Sequence, residues 1–289
     1  MPVDRQAIRA TRRAAVSIVL FVALWELGAR SHSWLVLPTF APVREALGML
    51  GFRSERLPWI GAIPAPSNVA SAWLTMLHDA AYWRSWGESS LRVLFGFGTA
   101  LLLGIPVGLV LAMSRTAFGV GFPVLELLRP IPPLAWVPAA IIFWPTQELS
   151  IAFVTFLGAF YTIVINVIGG AKAIDPRYLQ MAEALGASRW NVFRRIVLPA
   201  ALPSIVVGAV VGMGITWEVV VAAEMISGGS TQAGEAAGGG LGFLIWSSYV
   251  GGSYEQIVIG MISIGIAGLV SSALLRKLGA LLTPWERLR

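Results

Sequence analysis

Apolar residues along this chain gather in runs too long for a soluble core, separated by short polar and basic interruptions. Six runs are drawn, at roughly 14–30, 91–113, 120–145, 149–170, 200–226 and 257–276, near the length of about 20 residues at which an α-helix crosses a bilayer. The pattern predicts an all-α, polytopic membrane protein with about six transmembrane helices. It divides into a tail and first helix (1–30), an outer segment (31–90) and a membrane core (91–289) that contains one long polar loop, 171–199.

Within the outer segment, Ile63-Pro64-Ala65-Pro66 cannot be helical, because each proline lacks an amide hydrogen. Ser67 or Asn68 then suits the cap of a short helix with Val69, Trp73 and Leu77 on one face. That helix reads either as amphipathic, lying on the outer membrane surface, or as a docking surface for an external partner.

Composition agrees with the apolar pattern: 56% of residues are hydrophobic and 12% charged. Twelve Trp and 31 Gly suit a bilayer, where Trp favours the headgroup level and Gly lets helices approach closely. A net charge of +6 raises nucleic acid as a partner, but the basic residues lie between apolar runs rather than on one soluble face, so none is expected. With Cys absent, disulfides, metal–thiolate sites and thiol catalysis are excluded.

The distribution of charge predicts orientation. Placing the N-terminus inside puts 14 of the 21 Lys and Arg on the cytoplasmic side, among them Arg12, Arg13, Lys172, Arg194 and Arg195. Arg30, Arg44, Arg53, Arg56, Arg84 and Arg92 then fall outside, mostly in the long segment that translocates with little regard to charge. Both termini are expected in the cytoplasm. Four Arg followed by the apolar run from Ala14 to Leu27 also resemble a signal peptide, but Glu26 and Arg30 sit where a cleavage site would fall, which favours a retained span.

Candidate chemistry lies inside the spans. Gly104 and Gly108, and Gly208 and Gly212, are pairs of small residues four apart that permit close helix packing. Between Glu126 and Pro138 the third run holds two charges, Glu126 and Arg129, with Trp136 and four prolines, Pro132 among them, and cannot be a uniform lipid-facing helix. Glu126 and Arg129 are neighbours on a helix face, either as a pair that fixes packing or as the polar lining of a solute path in which Arg129 attracts an anion. The fifth run adds Trp217, Glu218 and Glu224, and the fourth adds Tyr161 and Asn166. Glu218 and Glu224 are about 120° apart around a helix, so they do not form an acid/base pair.

No catalytic motif emerges. Neither Lys172 nor Lys277 sits in a glycine-rich phosphate loop, and His32 and His78 are far apart in the outer segment. An energy source must come from a partner. The loop 171–199 supplies the candidate contact: Asp175-Pro176 opens a helix, Gly186 allows a sharp turn, and Trp190 to Ile196 leads back to the membrane as a second arm. It is longer than a hairpin between spans requires.

Gln180-Met181-Ala182-Glu183-Ala184-Leu185-Gly186, then nine residues and Ile196-Val197-Leu198-Pro199, resembles the cytoplasmic loop signature of the membrane subunits of bacterial ABC importers. The family pattern has Glu-Ala-Ala where this chain has Gln180, Met181 and Ala182, which puts a charge contact at Gln180 in question. Arg129 to Pro138, Trp217-Glu218, Ala222 to Met225 and Gly240-Leu241-Gly242 further resemble the nitrate, sulfonate, taurine and bicarbonate branch. The glycine-rich stretch from Gly228 to Gly240 and the segment 38–62 look extended beside it.

The resemblance implies the MetI-like ABC importer permease fold in a bacterial inner membrane. Gly186, Ala187 and Ser188, with the residues on either side, would dock on an ATPase. Two copies of the chain, or a copy and a close homologue, would form the path, with two ATPase subunits below that hold ATP and magnesium, so that this chain needs no cofactor and is not itself catalytic. A periplasmic or lipid-anchored binding protein would deliver the solute. A small oxyanion is the expected solute; a heterocyclic vitamin precursor, and from another class a channel or receptor subunit without an ATPase, are the alternatives.

Overall fold

The computed structural model describes residues 5–52, 55–228 and 239–285, all helix and connecting turns with no strand among them. Arg53, Arg287, Arg289 and most of the stretch from Gly228 to Gly240 lie outside the described residues. The helices are α1 Arg5–Ala29, α2 Ser31–Leu35, α3 Ala41–Met49, α4 Pro66–Met76, α5 Ala80–Met113, α6 Arg115–Leu128, α7 Val137–Phe143, α8 Gln147–Lys172, α9 Pro176–Ala184, α10 Arg189–Val192, α11 Leu198–Gly228, α12 Leu241–Val250 and α13 Tyr254–Leu282. They fall into two units, 1–80 with 247–259 and 81–246 with 260–289.

Four described helical stretches are long and apolar enough to cross a membrane: α5, α8, Arg189–Ile226 and α13. By length and apolar character alone, the described helices do not confirm the count of six. The third run is broken: α6 and Pro133–Phe143 meet at 86°, because Pro130, Pro132 and Pro133 remove the amide donors a continuous helix would need. Counted as one span, the bent pair makes five. The first run is short. Arg12 and Arg13 on one side and Glu26 on the other leave an uncharged stretch only from Ala14 to Trp25, about 18 Å of helix against a hydrocarbon core of about 30 Å.

In the smaller unit, α4 corrects the expected cap. Ala65 is its N-cap and Pro66 its first residue, while the Ser67 side chain turns to α1. Ser67 donates its amide to Glu26 at 3.0 Å and its hydroxyl to the same carboxylate at 2.8 Å, and Arg30 donates to the Ser67 hydroxyl at 3.0 Å. A carboxylate at the positive end of a helix is favourable, so the charges that argued against a cleavage site tie the end of α1 to the outer segment. Val69 and Met76 of α4 are buried in protein; the face expected to lie on the membrane is partly taken up by this packing.

The second expected span also begins earlier. Its helix α5 starts at Ala80 and runs for about 50 Å, longer than the hydrocarbon core, and its first turns carry an aromatic cluster. Tyr82 meets Trp83 at 5.3 Å and Trp86 at 6.4 Å between ring centres, the residue types that favour the headgroup level. Arg84, expected in the outer segment, and Arg92, expected on the outer side, are both residues of this helix.

Helix α8 is the mast of the larger unit. Both glycine pairs seen in the sequence face it: Gly104 and Gly108 meet Ile163 and Val167, while Gly208 and Gly212 meet Asn166 and Ala159. Two long helices thus approach α8 from different sides, and Ile151, Val154, Ile163, Val164 and Val167 are at most 1% exposed between them. A Cβ at residue 108 would stand 2.7 Å from the Val167 side chain and 3.1 Å from the Val164 carbonyl oxygen, leaving backbone no room to yield. Gly108→Val is expected to destabilise the unit by about 1–3 kcal/mol through overpacking, read as a lower unfolding temperature of the purified protein in detergent.

Candidate functional site

Helix α9 is bounded by the residues its sequence suggests. The Asp175 side chain accepts the Arg177 amide at 2.9 Å, with Pro176 at the first helical position. At the other end Gly186 takes φ +75. Its amide bonds the Glu183 carbonyl at 2.9 Å and the Ala187 amide bonds the Ala182 carbonyl at 3.0 Å, the paired closure that a left-handed glycine permits after a helix. Ser188 caps α10 by accepting the Asn191 amide at 3.3 Å.

Residues from Trp190 to Ile196, the second arm, are the first turns of the long stretch Arg189–Ile226. A widened π-turn at Phe193–Val197 lies just before Leu198 and Pro199, where Pro199 has no amide hydrogen to offer the carbonyl four residues back. Ile196, Leu198 and Pro199 therefore form the neck between loop and membrane helix.

The outward face of α9 is apolar. Tyr178, Met181 and Leu185 are 62%, 60% and 85% exposed, at spacings that align them on one side of the helix. Gln180, Glu183, Gly186 and Ser188 are also exposed, while Ala182 and Ala187 are half-buried and Leu179 packs on the core. Just before the loop, Lys172 stands 3.0 Å above the Phe118 ring, a cation–π contact that fastens the end of α8 to α6.

A second feature lies at the bend between α6 and α7. Arg129 closes α6 and shares a cavity of about 300 Å³ with Pro133, Tyr161, Thr162, Asn166 and Ile215. Glu126 and Arg129 lie 3.4 Å apart at their nearest charged atoms, and their side chains are 50% and 54% exposed. Such a pair is loose and worth little, so the guanidinium keeps donors to spare. Asn166 donates its amide to the Thr162 carbonyl at 2.8 Å. Trp136 has a buried indole N–H with no hydrogen-bond partner among the described residues. Pro132 and Glu218 are exposed.

Of the proposed lining residues, Arg129, Tyr161 and Asn166 line this cavity, while Glu126, Pro132, Trp136, Trp217, Glu218 and Glu224 do not. Trp217 is 5% exposed and donates its indole N–H to Ser271 at 3.0 Å; it is a core side chain with its polar atom satisfied. Glu224 is 1% exposed and is engaged in a polar knot that sequence reading did not assemble. Its carboxylate accepts from Ser89 at 2.8 Å, from Arg92 Nη1 at 2.8 Å and from the Gly242 amide at 2.9 Å. Ser89 in turn accepts the Leu241 amide at 2.8 Å.

Arg92, 8% exposed, also donates to the Gly239 carbonyl at 2.6 Å and through Nε to Glu148 at 2.8 Å, with Nη2 on the other Glu148 oxygen. One guanidinium faces two carboxylates here. The remaining negative charge meets the amide ends of two helices: Glu148 lies in the first turn of α8 and Glu224 binds the first turn of α12. Gly240, at φ +112, leaves room for the carboxylate: a Cβ there would collide with it. The signal was present in the sequence, since Arg92 falls inside the drawn second run and Ser89 is three residues away on the same face.

Comparison with known proteins adds to this geometry. Residues 104–288 match the family described as binding-protein-dependent transport system inner membrane component. The chain is 33% identical over 229 residues to the taurine transport system permease protein of Escherichia coli, covering 78% of this chain and 80% of that one. It is 36% identical over 199 residues to the nitrate import permease protein of Synechocystis, covering 69% of each. In fold it resembles a chain in the crystal structure of a bacterial ABC transporter involved in import of the acidic polysaccharide alginate, with TM-score 0.56 and 17% identity over 97% of this chain and 100% of that one.

Proposed function

The chain belongs to the binding-protein-dependent transport system inner membrane component family and is a permease subunit of an ABC importer, and from this we propose that it passes a small oxyanion, a sulfonate such as taurine or an ion such as nitrate. The observation that carries the reading is the Arg129 cavity. A guanidinium held only loosely by Glu126 lines, together with Tyr161, Thr162 and Asn166, a cavity of about 300 Å³. Guanidinium and hydroxyl donors are what a small oxyanion needs once it leaves water. The two similar permeases named above, for taurine and for nitrate, point to the same solute class.

The remainder of the mechanism follows from the loop. An exposed stripe of Tyr178, Met181 and Leu185 is apolar surface suited to a protein cleft rather than to water. In this reading α9 seats in an ATPase subunit that holds ATP and magnesium, and its movement on nucleotide closure is passed through Gly186 and the neck at Leu198-Pro199 to α11 and α8. Two copies of the chain, with both termini cytoplasmic, enclose the path, and a binding protein delivers solute from outside. Binding energy at the two ends biases a helix bundle with two arrangements.

Growth tests the solute. A strain lacking this chain is expected to lose growth on taurine as sole sulfur source or on nitrate as sole nitrogen source. The intact chain restores it and Arg129→Ala restores it poorly, with the variant protein present in the membrane at normal amounts. Growth on both sources without the chain would remove the anion reading and turn attention to a neutral or cationic heterocycle.

A further inference from the structure

The outer lobe, residues 31–62, lies before the family match at 104–288, and its outward surface is built the wrong way round for water. On α3 the charged Arg44 turns inward, where Nη1 donates to the carbonyls of Leu35 at 3.0 Å and Val36 at 2.8 Å and so closes α2. The opposite face presents Val43, Ala46 and Met49, followed directly by Leu50; Met49 and Leu50 are 87% and 71% exposed. Only Glu45, at the edge of that face, is charged. A water-facing helix shows the reverse arrangement.

The apolar surface continues beyond α3. After a turn at Gly51 (φ +78), the Phe52 and Trp59 rings meet edge to face at 6.1 Å, and Trp59 is 81% exposed with its backbone in the left-handed region at φ 59. A bulky residue is held there only where its surroundings over-determine it. Glu55 and Arg56 line a hollow of about 670 Å³ beside these rings. Apolar tip, Trp and neighbouring charges together are the composition of a membrane–water interface.

The same unit contains α1, which is exposed on every side from Arg12 to Leu24 and, in a membrane permease, meets lipid there. Its uncharged stretch is short by about 12 Å, and Val36 and Leu37, each half exposed, carry apolar surface from its Ala29 end towards α3. We propose that the lobe is a lipid anchor: the face from Val43 to Leu50, with Trp59, inserts into the bilayer leaflet at the Ala29 end of α1 and completes a span that α1 alone leaves short. Charge placement favours lipid over a second copy of the chain, since Arg44 is withdrawn and no acidic or basic pair is offered on the inserted face.

Because the chain has no cysteine, single introduced cysteines report alone. The full-length Met49→Cys and Leu50→Cys chains, each carrying a bimane label, would be placed in vesicles of phosphatidylethanolamine and phosphatidylglycerol, with Ser71→Cys on the exposed polar side of α4 as the comparison. The labels at 49 and 50 are expected to lose most of their emission to lipids brominated on the acyl chains and little to iodide in the buffer, with the reverse at 71. Quenching of 49 and 50 by iodide as strong as that of 71 would overturn the proposal. So would protection from both quenchers, which would mean that protein, not lipid, covers the face.

Discussion

Arg92→Leu is expected to cost the protein most of its folded yield. The substitution leaves the Glu224 carboxylate, 1% exposed, with Ser89 and the Gly242 amide but no counter-charge, and it releases Glu148 and the Gly239 carbonyl at the same time. Breaking a buried pair by removing one partner costs about 3–5 kcal/mol, against a total stability of about 5–15 kcal/mol for a typical domain. Thermal unfolding of the purified chain in detergent reads this as a large drop in midpoint or as loss of folded protein on extraction. Arg92→Lys should recover only part of the loss, because an ammonium cannot hold Glu148 through two parallel bonds while reaching Glu224 and Gly239. The double variant Arg92→Leu with Glu224→Leu should be more stable than Arg92→Leu, since it leaves no unpaired charge buried, Glu148 being exposed. A wild-type midpoint for Arg92→Leu would mean that the knot does not hold the helices together.

Gly186→Val acts on transmission rather than on folding. No atom lies within 4 Å of the Cβ position, so the side chain has space and the fold tolerates it. The backbone does not: φ +75 is strongly disfavoured for a β-branched residue, and the turn that closes α9 must open. The direction in which α9 presents Tyr178, Met181 and Leu185 then changes relative to the neck at Phe193–Val197. The complex should assemble and hydrolyse ATP while uptake falls to a small fraction of normal. Gly186→Asn should keep more of it, since Asn enters the left-handed region far more readily.

The turn at Gly186 was legible because everything that makes it is local: a proline start, a helix of a few turns, and a glycine where the chain must reverse. The break in the third run was legible for the same reason, as consecutive prolines dictate it without help from elsewhere. Tyr161 and Asn166 stood out as polar groups in an apolar run, and the fold brings them to one cavity with Arg129. The knot was not legible. Ser89 and Arg92 meet Glu224 across 135 and 132 residues, and a carboxylate near the end of an apolar run looks the same in sequence whether it lines a path or is buried beneath a helix end. The burial of Trp217 was hidden for a similar reason: its partner, Ser271, is 54 residues away. Both glycine pairs were visible, but not that each faces the same helix.

In the proposed mechanism this chain is the passive half of an ATP-driven machine, moved through α9 and Gly186. The most direct measurement is ATP hydrolysed and solute taken up, side by side, in vesicles that contain the complete transporter and its binding protein, for the natural chain, Gly186→Asn and Gly186→Val. Hydrolysis is expected to persist in all three while solute moved per ATP falls from the natural chain through Asn to Val. An unchanged ratio of uptake to hydrolysis in Gly186→Val, with the complex intact, would contradict it.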